Sequence, residues 1–64
     1  MENNVIKLMQ TMGVILEQSG ENAVKFVDGN KSAGTRLRKN MQEVKHLAQA
    51  IRTEVQEQKN AVTA

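Results

Sequence analysis

Apolar residues recur in alternating steps of four and three, and the rhythm runs on both sides of a single Asp28-Gly29-Asn30 break. Before the break the spaced positions hold Val5, Met9, Met12, Leu16, Ser19, Ala23 and Phe26. After it they hold Leu37, Met41, Val44, Ala48, Ile51, Val55, Gln58 and Val62. A sustained period of about 3.5 residues marks the seam of a coiled coil or helical bundle. No stretch alternates with the period of two that strands require, and the chain has no Pro to kink a helix. Gly tolerates the left-handed conformation that ends a helix, and Asn caps the next one. The expected fold is therefore all-α: one domain over residues 1–64, with a helix over about 4–27, a turn at 28–30 and a helix over about 31–60. Residues 61–64 are expected to fray.

Such an αα-hairpin of two long amphipathic helices is marginal by itself. A 7.1 kDa globule buries roughly 60% of its unfolded surface. That burial is worth about 90 kcal/mol at about 25 cal/mol per Å² of apolar area. Ordering the residues costs about 90 kcal/mol at about 1.5 each. With no Cys, no disulfide shifts the balance. The first helix also carries Ile6, Leu8, Ile15 and Val27 beside its seam, a face too wide for one partner helix. Self-association, as a homodimer or a higher helical bundle, is the expected remedy. Gly13 and Gly20, seven apart, suggest close approach of helices, with a kink near Gly20 as the other reading.

The same composition argues against an enzyme. There is one His and no Cys, and little room for a closed pocket beside a core. No catalytic residue, metal ligand set, cofactor or small-molecule substrate is expected. The absence of Cys fits a reducing compartment. The longest apolar run, Gly13-Val14-Ile15-Leu16, is far short of a membrane span. No basic region followed by an apolar stretch suggests a secretory signal, so the expected location is cytoplasmic.

Charge is unevenly placed. Residues 29–52 carry Lys31, Arg36, Arg38, Lys39, Lys45 and Arg52 against Glu43 alone. Lys31, Arg38, Lys45, Arg52 and Lys59 are spaced seven apart, which on a helix is a near-straight row with about 10.5 Å between neighbours. Thr35, Gln42, Gln49 and Gln56 lie beside them. Solvated helices ordinarily pair cations with acids three or four residues away, and from Arg38 onward the row has none. A cation row without acids at these spacings, set beside amides, suits a polyanion backbone, and the amides around Asn30, Lys31 and Ser32 at the start of the second helix offer a further anion site. Base-edge reading is not expected, because the row has no Asn and the chain a single aromatic residue. The alternative is a structural oligomerisation module without nucleic acid, its cations paired with acids such as Glu17 or Glu21 on a neighbouring helix. His46 is read as an exposed residue without a role, and Met9, Met12 and Met41 as packing residues.

The stretch Gly29-Asn30-Lys31-Ser32-Ala33-Gly34-Thr35-Arg36-Leu37-Arg38-Lys39 resembles the histone-like family typified by the chlamydial linker-histone-like nucleoid protein. That family opens its second helix with Gly-Asn-Lys-Ala-Ala followed by Arg-x-Arg. The similarity continues through Glu43-Val44, Leu47-Ala48, Arg52, Glu54 and Lys59, covering residues 28–60, while the first helix matches in pattern only. The resemblance implies a helical, nucleoid-associated protein that binds double-stranded DNA with little sequence preference. Lys31, Arg36, Arg38 and Lys39 occupy the matching basic positions. A typical member also carries a long Lys-rich, disordered C-terminal tail; residues 53–64, with Lys59 against Glu54 and Glu57, are not of that composition. Taken with the row, the expected phosphate contacts are Lys31, Arg36, Arg38, Lys39, Lys45 and Arg52.

Overall fold

In a computed structural model, which describes residues 3–63 and the side chains of residues 3–61, two helices pack against each other as an antiparallel hairpin. Helix α1 spans Asn4–Val27 and α2 spans Lys31–Thr63. There is no strand among the described residues. The hairpin measures 53 × 19 × 11 Å, the length of its longer helix. Helix α2 continues through residues 61–63, where fraying was expected; Ala64 lies outside the described residues.

Local chemistry sets the ends. Asn3 is extended, and its Oδ1 accepts the Val5 N–H at 2.8 Å, capping α1. At the other end Gly29 takes φ +107°. With Gly29 there, its N–H reaches the Phe26 carbonyl and the Asn30 N–H reaches the Lys25 carbonyl, both at 3.0 Å. This pair of bonds is the Schellman closure, which satisfies carbonyls that the helix leaves open. Asn30 then turns round and caps α2, its Oδ1 accepting the Ala33 N–H at 3.1 Å. Three residues thus end one helix and start the next.

The helices meet along Val5, Leu8, Met12, Ile15, Ser19 and Asn22 on α1, and along Ala33, Leu37, Asn40, Val44, Leu47, Ile51, Glu54 and Gln58 on α2. Both sets step by three and four. Ile15 and Ala33 are the buried apolar residues, and no side chain among the described residues is fully buried and large. Several seam positions are polar. Asn22 Nδ2 donates to Asn40 Oδ1 at 2.9 Å, and Asn22 Oδ1 accepts from Arg36 Nε at 3.1 Å. The buried Ser19 hydroxyl donates to the Ile15 carbonyl at 2.7 Å. Asn3 and Gln58 exchange reciprocal amide bonds of 3.0 and 3.1 Å, and Asn4 donates to Glu54 at 3.3 Å. No buried side-chain polar atom among the described residues lacks a partner. Sliding one helix along the other would break these bonds together and strand the Asn40 amide, a loss of about 1–3 kcal/mol for each unsatisfied group.

The seam lies one position away from half of the expected residues. Met9, Leu16, Phe26, Met41 and Val55 were expected inside it, yet they are exposed. Two contacting helices can cover one stripe of each, and α1 has two adjacent apolar stripes. The hairpin uses the one containing Leu8, Ile15 and Asn22, because the Asn22–Asn40 bond and the turn fix that rotation. Helix α1 runs without interruption through Gly13 and Gly20, and neither brings a helix close within the chain; both are exposed, with open space where a Cβ would stand.

Two expectations test the turn and its neighbour. Gly29→Val should lower stability by more than about 1 kcal/mol, because a β-branched residue is strained at positive φ. An unchanged melting midpoint would contradict the closure described. A Cβ at Gly34 would stand 2.5 Å from Phe26 Cδ1, so the ring covers this glycine. Gly34→Ala should therefore stabilise a Phe26→Ala variant by about 1 kcal/mol through helix propensity, and the parent by clearly less. Denaturant unfolding of all four proteins at one concentration measures the coupling, and equal effects in both backgrounds would contradict the contact.

Candidate nucleic-acid interface

In an antiparallel pair, residues one position after the seam fall on one broad face of the hairpin, and residues one position before it fall on the other. The two faces differ in chemistry. The face before the seam carries Asn4, Lys7, Thr11, Gln18 and Glu21 from α1 with Arg36, Lys39, Glu43 and His46 from α2. Apart from the exposed Val14 it is mostly polar, and Gln18, Glu21, Asn22, Arg36, Lys39, Asn40 and Glu43 line a groove across it. The face after the seam carries Ile6, Met9, Gly13, Leu16, Gly20 and Ala23 from α1 with Gly34, Met41, Ala48 and Val55 from α2. Along its α2 edge stand Lys31, Arg38, Lys45 and Arg52, all exposed.

The six expected phosphate contacts are therefore divided. Lys31, Arg38, Lys45 and Arg52 form one row about 32 Å long, close to the 34–36 Å turn of a DNA duplex. Among the described residues none of these four has an ion-pair or hydrogen-bond partner. Lys59 continues the line at the same spacing. Arg36 and Lys39 lie on the far side of α2, over the polar groove, with Arg36 held by Asn22. Residues 36 and 38 are two apart, which on a helix turns them about 200° from each other. The Arg-x-Arg motif therefore points to both faces. Of the amides expected to be free around Asn30, Lys31 and Ser32 at the start of α2, that of Asn30 is engaged by the Lys25 carbonyl. Gln42 and Gln49, outward of the row, bond along the helix to His46 at 3.3 Å and to Thr53 at 3.5 Å. His46 is exposed.

Sequence reasoning anticipated an uncovered apolar face on α1 but assigned Met9, Leu16, Met41 and Val55, which stand on the exposed face, to the seam. It also passed over Asn22 and Asn40. An amide in a heptad position of each segment was the available signal.

No group of three or more His, Asp and Glu among the described residues could hold a metal ion. Neither described helix is long and apolar enough to cross a membrane. The helical hairpin is of the histone-like, DNA-binding nucleoid class. The chain belongs to the family of the histone H1-like protein Hc1, whose model matches residues 6–61 and so spans both helices. No curated protein and no solved structure matches it.

Proposed function

We propose that the protein binds duplex DNA without sequence preference, as a self-associating nucleoid component of the bacterial cytoplasm, and that it does so through phosphates. The row of Lys31, Arg38, Lys45 and Arg52 carries the reading. Four exposed cations at a fixed pitch, with no acid engaging them, gain little from the fold and much from a polyanion. Their long flexible stems accept phosphates in many geometries, and no residue of the row presents the bidentate amide that reads adenine. Arg36 and Lys39 add positive potential from the other face without joining the row. The function is binding and packaging, with no reaction assigned to any residue.

The salt dependence of binding measures the contacts. Four phosphate contacts should give a slope of log K against log salt of about −3.6. Raising salt from about 50 to 200 mM should then weaken binding roughly 150-fold. Replacing Arg38 and Lys45 by Gln should reduce the slope's magnitude by about 2 and weaken all sequences alike. The same replacement of Arg36 and Lys39 should change the slope by less. A folded Arg38/Lys45 double variant that binds duplex as tightly as the parent would contradict the reading. A parent that shifts no duplex at about 50 mM salt would leave the hairpin as a structural module.

A further inference from the structure

We infer that the apolar face is closed by a second copy of the chain, related by a two-fold axis parallel to the helices. Each α2 then lies on the partner's α1, both turns are at the same end, and the two cation rows run along opposite edges of a four-helix bundle. The inference deepens the self-association proposed above by naming its surface and symmetry. It has a consequence for DNA: a dimer so built holds two duplexes, one on each edge, and bridges them.

Surface area argues for the occupant. A compact monomer of 7.1 kDa exposes about 4,100 Å², whereas this hairpin exposes 5104 Å². The excess is close to the ~800 Å² that each partner contributes to a stable interface. Five of the nine exposed large apolar residues among those described share this face: Ile6, Met9 and Leu16, each about half exposed, with Met41 and Val55 opposite them. The face alternates large and small residues, Ile6, Met9 and Leu16 with Gly13, Gly20 and Ala23 on α1, and Met41 and Val55 with Ala48 on α2, while Phe26 covers Gly34. A second copy therefore brings a matching relief.

Charge selects the symmetry. Two such faces can also meet about an axis that crosses the helices. Each α2 would then lie on the partner's α2, and the two rows would face each other along one edge, a like-charge arrangement. With the axis along the helices, each row meets the edge of α1 that carries Ile6, Gly13 and Gly20, with Glu17 just outside it. Residue 22 faces residue 40 and residue 4 faces residue 54 within the hairpin, so residue 17 stands level with residues 43–45. A two-fold axis along the helices preserves height. It sets the partner's Glu17 level with Lys45 on the same edge, and the partner's Leu16 between Met41 and Ala48.

The chain has no Cys, so introduced thiols are the only ones present. Ile6 and Arg52 are level, on opposite edges of one protomer and on the same edge of the dimer. An Ile6→Cys/Arg52→Cys variant should therefore oxidise to a covalent dimer, while neither single variant should. Sedimentation equilibrium of the parent should report a dimer at micromolar concentration. Bead-bound duplex coated with the parent at about 50 mM salt should retain a second, labelled duplex. Cross-linking by Arg38→Cys, Lys45→Cys or Arg52→Cys alone would put the rows side by side and overturn the arrangement. So would a salt slope twice that of one row with no second duplex retained. A dimer in which the double variant fails to cross-link would place the interface elsewhere. A parent that sediments as a monomer would remove self-association itself, whether or not it shifts DNA. If the parent shifts no DNA, the cross-linking pattern still decides the arrangement.

Discussion

Two helices in contact can cover only one stripe of each, and the rest of this structure depends on that limit. A chain of this length with two amphipathic helices cannot enclose a core by folding once. Its inner stripe is thin and partly polar, with Ile15 and Ala33 the only apolar residues buried among those described. Its second stripe is left outside, bordered by the cation row. The hairpin therefore has three surfaces with separate chemistries: a polar face, an apolar face and a basic edge. The proposed self-association and DNA contact use the last two, and neither obstructs the other.

The polar residues of the seam explain why the hairpin settles on one rotation. An apolar seam shared between two neighbouring stripes would allow either to be buried at similar free energy. Asn22 and Asn40 remove that degeneracy, because their bond forms only when the stripe of Leu8 and Ile15 faces inward. A buried amide that fixes register at some cost in stability is a familiar device of coiled coils. The turn acts in the same direction. Its paired closure ends α1 at a defined residue, and Asn30 starts α2 three residues later. Together they hold the row of cations on the edge of the apolar face.

Much of this was legible in the sequence. The seven-residue spacing of Lys31, Arg38, Lys45 and Arg52 defines a row in the sequence itself, because helical geometry converts spacing directly into direction. The excess width of the apolar face on α1 was legible for the same reason. Which of two adjacent stripes turns inward was not, since Met9 and Leu16 are as apolar as Leu8 and Ile15. That choice belongs to side-chain pairing between helices, which periodicity does not encode. The role of Arg36 and Lys39 was blurred by their nearness in sequence to Arg38. Proximity along a helix separates residues in space as often as it joins them, and the Asn22–Arg36 bond belongs to the far face.

The central claim is that one edge of α2 meets DNA while the neighbouring apolar face meets a second copy of the chain. Backbone amide NMR during titration with a short duplex tests both halves in one experiment. The account predicts shifts that recur every seven residues, at and around Lys31, Arg38, Lys45 and Arg52. It predicts little change around Asn4, Thr11 and Gln18 on the polar face, or around Leu16 and Met41 on the apolar one. Shifts concentrated on the polar groove or on the apolar face, with the row unperturbed, would contradict it.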